Sequence, residues 1–338
     1  MTVTQQPLLT VDDLGVVFST DNGPATSVGG LSFDLYANET LCLVGESGSG
    51  KSITSMAIMG LLPRTAEVTG SIRFRGDELL TKTDGQLREL RGSRISMVFQ
   101  DALAALNPVK TVGGQLMEAV RVHAPKRSRA EERARAIELL DIVGIPTPDQ
   151  RVDQYPHEFS GGMRQRIMIA MSIANDPDVL IADEPTTALD VTVQAQVLEV
   201  LRRVQERTNS ALLLITHDLG VVAGLADRVL VMYSGKKVEE GEAEDIFYRP
   251  SHPYTLGLLE AMPRLDESSG DSPLYSIPGS PPDPSELPPG CRFAPRCRFA
   301  VPGTCDSSPI PEREISDRHS SVCLRIDEVA AVRQGEST

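Results

Sequence analysis

Gly45-Glu46-Ser47-Gly48-Ser49-Gly50-Lys51-Ser52 is the stretch from which the fold follows. The apolar run Leu41-Cys42-Leu43-Val44 leads into it, and Ile53-Thr54-Ser55-Met56-Ala57-Ile58-Met59, helical in character, leads out. Strand, glycine loop and helix in that order are the setting in which G-x-x-x-x-G-K-[ST] forms a phosphate cradle. Glycines let successive backbone N–H groups point into one concavity, and the helix N-terminus adds partial positive charge. In such a cradle Lys51 reaches the β- and γ-phosphates, and the Ser52 hydroxyl binds Mg²⁺. The loop therefore predicts a site for a nucleoside triphosphate.

Working outward, 338 residues with 40% hydrophobic and 24% charged side chains suffice for one large domain or two smaller ones. The formal net charge of -14 excludes a nucleic-acid binder that works through bulk positive charge; the acidity serves solubility. No apolar run approaches the ~18 residues of a membrane span. Residues 1–10 lack the basic start and apolar core of a signal peptide. The expectation is a cytosolic chain that meets a membrane only through a partner. Of five cysteines, four crowd between 291 and 323, which in that compartment points to a metal site rather than disulfides.

Short strands are expected over Leu8–Val11, Val16–Phe18 and Leu31–Leu35, with Gly23-Pro24 and Gly29-Gly30 as punctuation. Phe18 is either an adenine-stacking aromatic or a core residue; spacing leaves both open. Gly70–Arg75 and Ile95–Gln100 read as further strands. Residues 101–158 change character. Ser128-Arg129-Ala130-Glu131 has capping-box form, and Ala134, Ile137, Leu140 and Val143 recur at helical spacing up to Gly144. Their charged run, Lys126 to Arg135, reads as a solvated helix face.

Phe159-Ser160-Gly161-Gly162-Met163-Arg164-Gln165-Arg166 reads as an N-capped helix start, suited to an anion or simply to a core helix. Val179-Leu180-Ile181-Ala182-Asp183-Glu184 suits a buried parallel strand that delivers two acids to a ligand crevice. There Asp183 would hold the Mg²⁺ shell and Glu184 would orient and polarise an attacking water. Ala188-Leu189-Asp190 leads into a helix to about Arg207. Ala211–Thr216 is another strand, with His217 at its carboxyl end as either a structural histidine or a phosphate contact. Val229–Tyr233 and Lys236–Glu240 read as a hairpin closing the domain.

This order of motifs resembles the nucleotide-binding subunits of ABC transporters over about residues 8–260. The resemblance implies an α/β P-loop ATPase core at 1–100 and 159–250, with an antiparallel β subdomain and a helical insertion at 101–158. It implies that Gln100 senses Mg²⁺ and couples to transmembrane subunits, and that His217 contacts the γ-phosphate. Ser160, Gly161 and Gly162 would grip the nucleotide held by a second ATPase domain, and Asp190 would link the two sites. The segment departs from LSGGQ at Phe159 and Met163 but keeps Ser-Gly-Gly. One phosphate loop and one signature segment per chain also mean that a lone monomer should hydrolyse ATP poorly.

Residues 251–338 form a loop-rich extension, with 11 of the 24 prolines between 273 and 311. Arg249–Thr255 (RPSHPYT) and Gly290–Cys297 (GCRFAPRC) resemble the C-terminal extension of oligopeptide and dipeptide importer ATPases. By that resemblance two different ATPase subunits pair beneath two transmembrane permease subunits, on the cytoplasmic face, and an external binding protein delivers the solute. Relatives that carry nickel or other small solutes keep that substrate open. Cys291, Cys297, Cys305 and Cys323 match neither a ferredoxin run nor a paired zinc ribbon; the resemblance favours a [4Fe–4S] cluster, in a stapling role, over zinc or unligated thiols. Cys42 reads as a small buried hydrophobe. The rival readings are a soluble ABC-type ATPase of DNA repair or translation, and an exporter subunit.

Overall fold

The computed structural model of the protein describes residues 6–21, 23–100, 105–187, 189–262 and 276–335. Ala188, and residues 101–104 of the helical insertion, lie outside that set. So do residues 1–5 of the core and residues 263–275 and 336–338 of the extension.

Two long strands, β1 (Leu9–Thr20) and β2 (Gly23–Leu35), open the chain where shorter strands are expected. The expected breaks are bulges. Register slips between Val11 and Leu14 beside Asp13, at φ 48, and the ladder then resumes. β3 (Thr40–Val44) is buried at every position and runs through the phosphate loop into α1 (Lys51–Ile58). β4 (Ala66–Phe74) pairs with β1 and the short β5 (Asp77–Glu78), which gives a four-stranded antiparallel sheet ordered β2-β1-β4-β5. α2 (Asp84–Leu90) and β6 (Ile95–Val98) lead back to the second sheet.

The helical part comprises α3 (Val112–His123), α4 (Arg129–Ile142), the one-turn α5 (Pro148–Arg151) and α6 (Gly161–Ser172). Ser128 caps α4 in a capping box with Glu131, and Gly144 ends it with φ 70. The charged run is more than a solvated face. Arg121 pairs with Glu132, Arg133 with Asp153, and Arg135 with Asp176 and Glu138. Arg135 thereby also reaches the end of α6 by donating to the Ala174 carbonyl.

β7 (Val179–Asp183), α7 (Val191–Thr208), β8 (Ala211–Thr216), α8 (Leu219–Val222), β9 (Arg228–Tyr233) and β10 (Lys236–Glu242) complete the core. α9 (Ala243–Tyr248), α10 (Pro253–Glu260), β11 (Arg313–Ser316), β12 (His319–Ser321) and α11 (Ile326–Gly335) follow. The second sheet has eight strands, ordered β11-β12-β10-β9-β3-β8-β7-β6. β9, β3, β8, β7 and β6 are mutually parallel, and the last three strands at the other edge run antiparallel. The β9–β10 hairpin therefore does not close the sheet, because β12 of the extension pairs with β10 at Glu239 and Glu240.

Sheet residues divide by parity between two cores. Cys42, Val44, Leu212 and Leu214 face the helical side, while Leu41, Leu43, Leu213 and Ile215 face α1 and the β subdomain. A parallel sheet covered on both faces accounts for the unbroken apolar runs. Cys42 is fully buried and its thiol pKa lies far above the ordinary range through burial, as befits a small hydrophobe. Among the described residues no helix is long and apolar enough to cross a membrane.

Candidate functional site

The carboxyl ends of β3, β7 and β8 deliver the site. β3 is flanked by β8 and β9, so Gly45 leaves the sheet at its centre, and a Cβ there would collide with the Met232 carbonyl of β9. Gly50 stands at φ 97, where L side chains are strained, and caps α1 with no side-chain hydrogen bond. The first N–H groups of α1 are thus left to a ligand.

Lys51 is buried, and its Nζ donates to the carbonyls of Gly45 (2.7 Å) and Glu46 (2.9 Å) and to Ser49 Oγ (3.3 Å). Burial lowers its pKa, opposed by the nearby carboxylates of Glu184, Asp183 and Glu46. Ser52 Oγ donates to Asp183 Oδ1 at 2.9 Å, so two residues expected in the Mg²⁺ shell already touch. Burial raises the Asp183 pKa, partly countered by the Ser52 hydrogen bond and added to by the charge of Glu184. A half-desolvated carboxylate beside a hydroxyl is a fitting hard-oxygen donor set for Mg²⁺.

Glu184 follows directly, in the left-handed region at φ 46, with its N–H donating to the Ile215 carbonyl. That uncommon backbone turns consecutive acids in different directions, Asp183 to Ser52 and Glu184 to three other side chains. Gln100 Nε2 donates to Glu184 Oε2 at 3.0 Å, Thr187 Oγ1 donates to the same oxygen at 2.9 Å, and His217 Nδ1 stands 3.4 Å from Oε1. Glu184 is 14% exposed and His217 54%, so the carboxylate is held while the imidazole reaches solvent. Gln100, Glu184 and His217, far apart in sequence, are thus one cluster beside the phosphate loop.

The signature residues sit elsewhere. Ser160 caps α6 by accepting from the Met163 N–H, and both Ser160 and Gly161 are exposed. Gly162 packs against Val193 of α7, where a Cβ would collide with the Val193 side chain. Asp190 caps α7, its Oδ1 accepting from the Val193 N–H at 3.0 Å. Phe18 is partly buried on the core of the β subdomain, packed against its apolar cluster.

Three contributors have no role at the phosphate loop that the sequence assigns, although Tyr254 and Arg296 lie within the RPSHPYT and GCRFAPRC segments. Thr187 holds Glu184 from within the short turn after β7. Tyr254 of α10 accepts a hydrogen bond from the Glu46 N–H at 2.8 Å, and Arg296 holds the Glu46 carboxylate at 2.7 and 3.1 Å. Burial disfavours the charge of Arg296, but its hydrogen bonds to Glu46 and Tyr233 more than offset that, so its pKa is raised.

Cys291, Cys297, Cys305 and Cys323 line one small cavity of about 20 Å³ together with His252 and Phe293. The Val301 and Arg325 N–H groups point at the sulfurs of Cys305 and Cys323. His252 Nδ1 accepts from the Tyr254 N–H, while its Nε2 is buried with no hydrogen-bond partner. The donor set therefore fits a soft metal or cluster in kind. Among the described residues, though, no group of three or more His, Cys, Asp or Glu side chains is arranged so that it could hold a metal ion. Burial raises the Cys291 thiol pKa, and pushes that of Cys297 up to about 11 and that of Cys323 up to about 12.

Fold and site together define a nucleotide-binding ATPase cassette. Residues 28–187 match the ABC transporter family, and residues 238–305 match the C-terminal region of oligopeptide/dipeptide transporters. The dipeptide transport ATP-binding protein DppD of Bacillus subtilis is 51% identical over 338 residues, 98% of this chain and 99% of that protein. The oligopeptide transport ATP-binding protein OppD of Salmonella typhimurium is 50% identical, covering 96% of this chain and 97% of that one. OppD of Mycobacterium tuberculosis is also 50% identical over 95% of this chain, which spans about half (52%) of that relative's length. Among solved structures, cbiO1 of Clostridium perfringens, part of an ABC transporter complex, aligns with TM-score 0.62 at 26% identity over 72% of this chain and 92% of that one. The dimeric ATP-binding cassette MJ0796 shares the fold at the same TM-score, over 70% of this chain and 98% of that one. The chain belongs to the ABC transporter ATPase family, in the branch that carries the oligopeptide/dipeptide transporter C-terminal region.

Proposed function

We propose that this chain is the ATP-hydrolysing subunit of a membrane importer for oligopeptides or dipeptides, acting at the cytoplasmic face. The observation that carries the reading is the cluster at the phosphate loop, with Ser52 on Asp183 and Gln100, Thr187 and His217 around Glu184. Backbone N–H groups of residues 45–52 and the Lys51 ammonium hold the triphosphate, and the exposed part of Phe18 is offered to the adenine. Ser52, Asp183 and Gln100 would hold Mg²⁺, which supplies charge neutralisation at the β- and γ-phosphates. Glu184 orients the attacking water and takes its proton, and His217 donates to the γ-phosphate. The chemistry is mostly positioning and charge stabilisation.

A second ATPase subunit completes each site by presenting its own signature segment, and a different chain is the preferred partner over a copy. Exposed Ser160 and Gly161 at the head of α6 suit that reciprocal contact. In this reading the core spans 1–100 and 159–250, the helical insertion 101–158 and the extension 251–338. An apolar groove of about 550 Å³, lined by Phe99, Ala119, Met168 and Met171 beside Gln100, supports docking of the permease subunits. An external solute-binding protein then acts through the permease. The test is mild-detergent affinity purification of this chain from its native membranes, followed by mass spectrometry. Co-purification of two multi-span proteins and a second ATPase supports the reading; recovery of the chain alone, or with ribosomes or nucleic acid, removes it.

The four late cysteines in the same reading hold a [4Fe–4S] cluster, with zinc as the alternative ligand of the same thiols. What supports it is their shared cavity, the N–H groups aimed at two sulfurs and the orphaned Nε2 of His252. The bound group would staple a proline-rich segment that lacks a core of its own. Iron and acid-labile sulfide, or zinc, measured per chain after anaerobic purification decides it; a chain that holds neither rules out the metal.

A further inference from the structure

Arg296 belongs to the cysteine-bearing segment, yet its guanidinium lies on the phosphate loop. Nη1 donates to Glu46 Oε2 at 2.7 Å and Nη2 to Glu46 Oε1 at 3.1 Å, a two-pronged pair that spans 250 residues of sequence. The side chain of Arg296 is only 6% exposed. Its Cζ lies 5.7 Å from the Tyr233 ring centroid and 6.0 Å from that of Phe293, and its Nε donates to the Pro278 carbonyl. The arginine is therefore fixed from every side before it meets Glu46.

Glu46 is held at its backbone too. Its N–H donates to the Tyr254 hydroxyl at 2.8 Å, and its carbonyl accepts from Lys51 Nζ at 2.9 Å. Tyr254, Tyr233 and Phe293 pack ring against ring at 4.7, 5.1 and 5.3 Å, so both anchors stand on one aromatic cluster. Two segments after the core sheet thus grip one residue of the loop that must wrap a triphosphate. There is also a charge argument. A free carboxylate on that loop opposes bound phosphate, and a buried two-pronged arginine neutralises it and holds it aside.

We infer that Arg296 and Tyr254 are positioning residues for ATP, acting through Glu46 to hold the phosphate loop in its binding shape. The C-terminal extension is then a working part of the nucleotide site rather than an appendage. Because Arg296 precedes Cys297 directly, the conformation of the cysteine segment sets where the clamp stands.

The inference rests on the phosphate loop being the ATP site, and the test separates the two. The full chain and its variants are titrated with a fluorescent ATP analogue, with folding checked by circular dichroism and Tm. Failure of the wild-type chain to bind removes both statements. With wild-type binding intact, Arg296→Gln is expected to raise Kd about tenfold, the size of one charge-assisted hydrogen bond. Arg296→Lys, which keeps the charge and one prong, should fall between them. Removing the carboxylate as well, in Arg296→Gln/Glu46→Gln, should bring Kd back to within about threefold of wild type, because the repulsion has gone. A merely structural arginine gives no such recovery. If Arg296→Gln does not fold, Tyr254→Phe, which keeps the buried ring, carries the test with an expected loss of about threefold. Folded Arg296→Gln with wild-type Kd, a double variant no better than the single one, or wild-type binding in Tyr254→Phe overturns the inference.

Discussion

At the scale of single residues, adjacent acids meet different partners. Asp183 ends β7 in regular strand geometry and meets Ser52, whereas Glu184 adopts φ 46 and faces Gln100, Thr187 and His217. Glu184→Gln keeps the side-chain volume and still accepts from Gln100 and Thr187 through its carbonyl oxygen. It has no basic oxygen for the water proton. ATP affinity should stay within about twofold, while turnover in the assembled complex falls at least about a hundredfold. Single-turnover hydrolysis measured beside analogue binding checks this, and near wild-type turnover would remove Glu184 from its role. Gly50→Ala acts on the loop itself. Its φ of 97 costs an L residue about 1–2 kcal/mol, and the new methyl would meet the Ser27 carbonyl. Analogue binding should be lost along with several degrees of Tm; retained affinity would mean that the loop rearranges without cost.

The elements explain why some of this was legible in sequence and some was not. The phosphate loop, Asp183, Glu184 and His217 announce themselves because each stands at the carboxyl end of a buried parallel strand, where an apolar run stops at a polar residue. Thr187 reads as ordinary turn composition. Tyr254 and Arg296 act on Glu46 across 208 and 250 residues, and no local period encodes such a contact. β11 and β12 have four and three residues, too short for alternation to show, so the edge of the main sheet went unread. α10 carries a pH consequence. His252 caps it through Nδ1, donates its backbone N–H to the buried Glu239, and packs beside Phe293 and the cysteines; burial lowers the imidazole pKa to about 3. In the unfolded chain the imidazole titrates near its ordinary 6.5, so the unfolded state binds the extra proton first. Stability from this group is full above pH ~6.5 and falls by up to about 1.4 kcal/mol per pH unit as pH drops toward 3. His252→Asn keeps a capping acceptor and titrates nothing. Its Tm should decline less than that of wild type between pH 6.5 and 4.5; parallel declines would mean that the acid sensitivity lies in other groups.

For the whole molecule, the layout sets the phosphate-loop cluster apart from the exposed helix start at Ser160. The phosphate loop, Asp183, Glu184 and His217 gather at the carboxyl edge of the parallel strands, while Ser160 and Gly161 present an exposed helix start. Ser160 spends its hydroxyl on its own helix, and Asp190 likewise caps α7, so neither takes part in the cluster around Glu184. Isolated chain should therefore bind ATP yet turn over slowly, because its own Ser160 and Asp190 are engaged on their own helices away from the cluster, and a partner's N–H donors are needed to neutralise the γ-phosphate. The rate per chain should rise with protein concentration if copies pair weakly. It should rise by about a hundredfold or more, on the order of one lost transition-state donor's worth, when the cognate ATPase subunit is added. Steady-state hydrolysis across a dilution series, with and without that partner, is the check. Ser160→Ala in this chain should then slow hydrolysis at the partner's nucleotide while leaving analogue binding to this chain's own loop unchanged. A rate per chain that is high, independent of dilution and indifferent to the partner would mean that a single cassette completes its own site, and the exposed head of α6 would need another explanation.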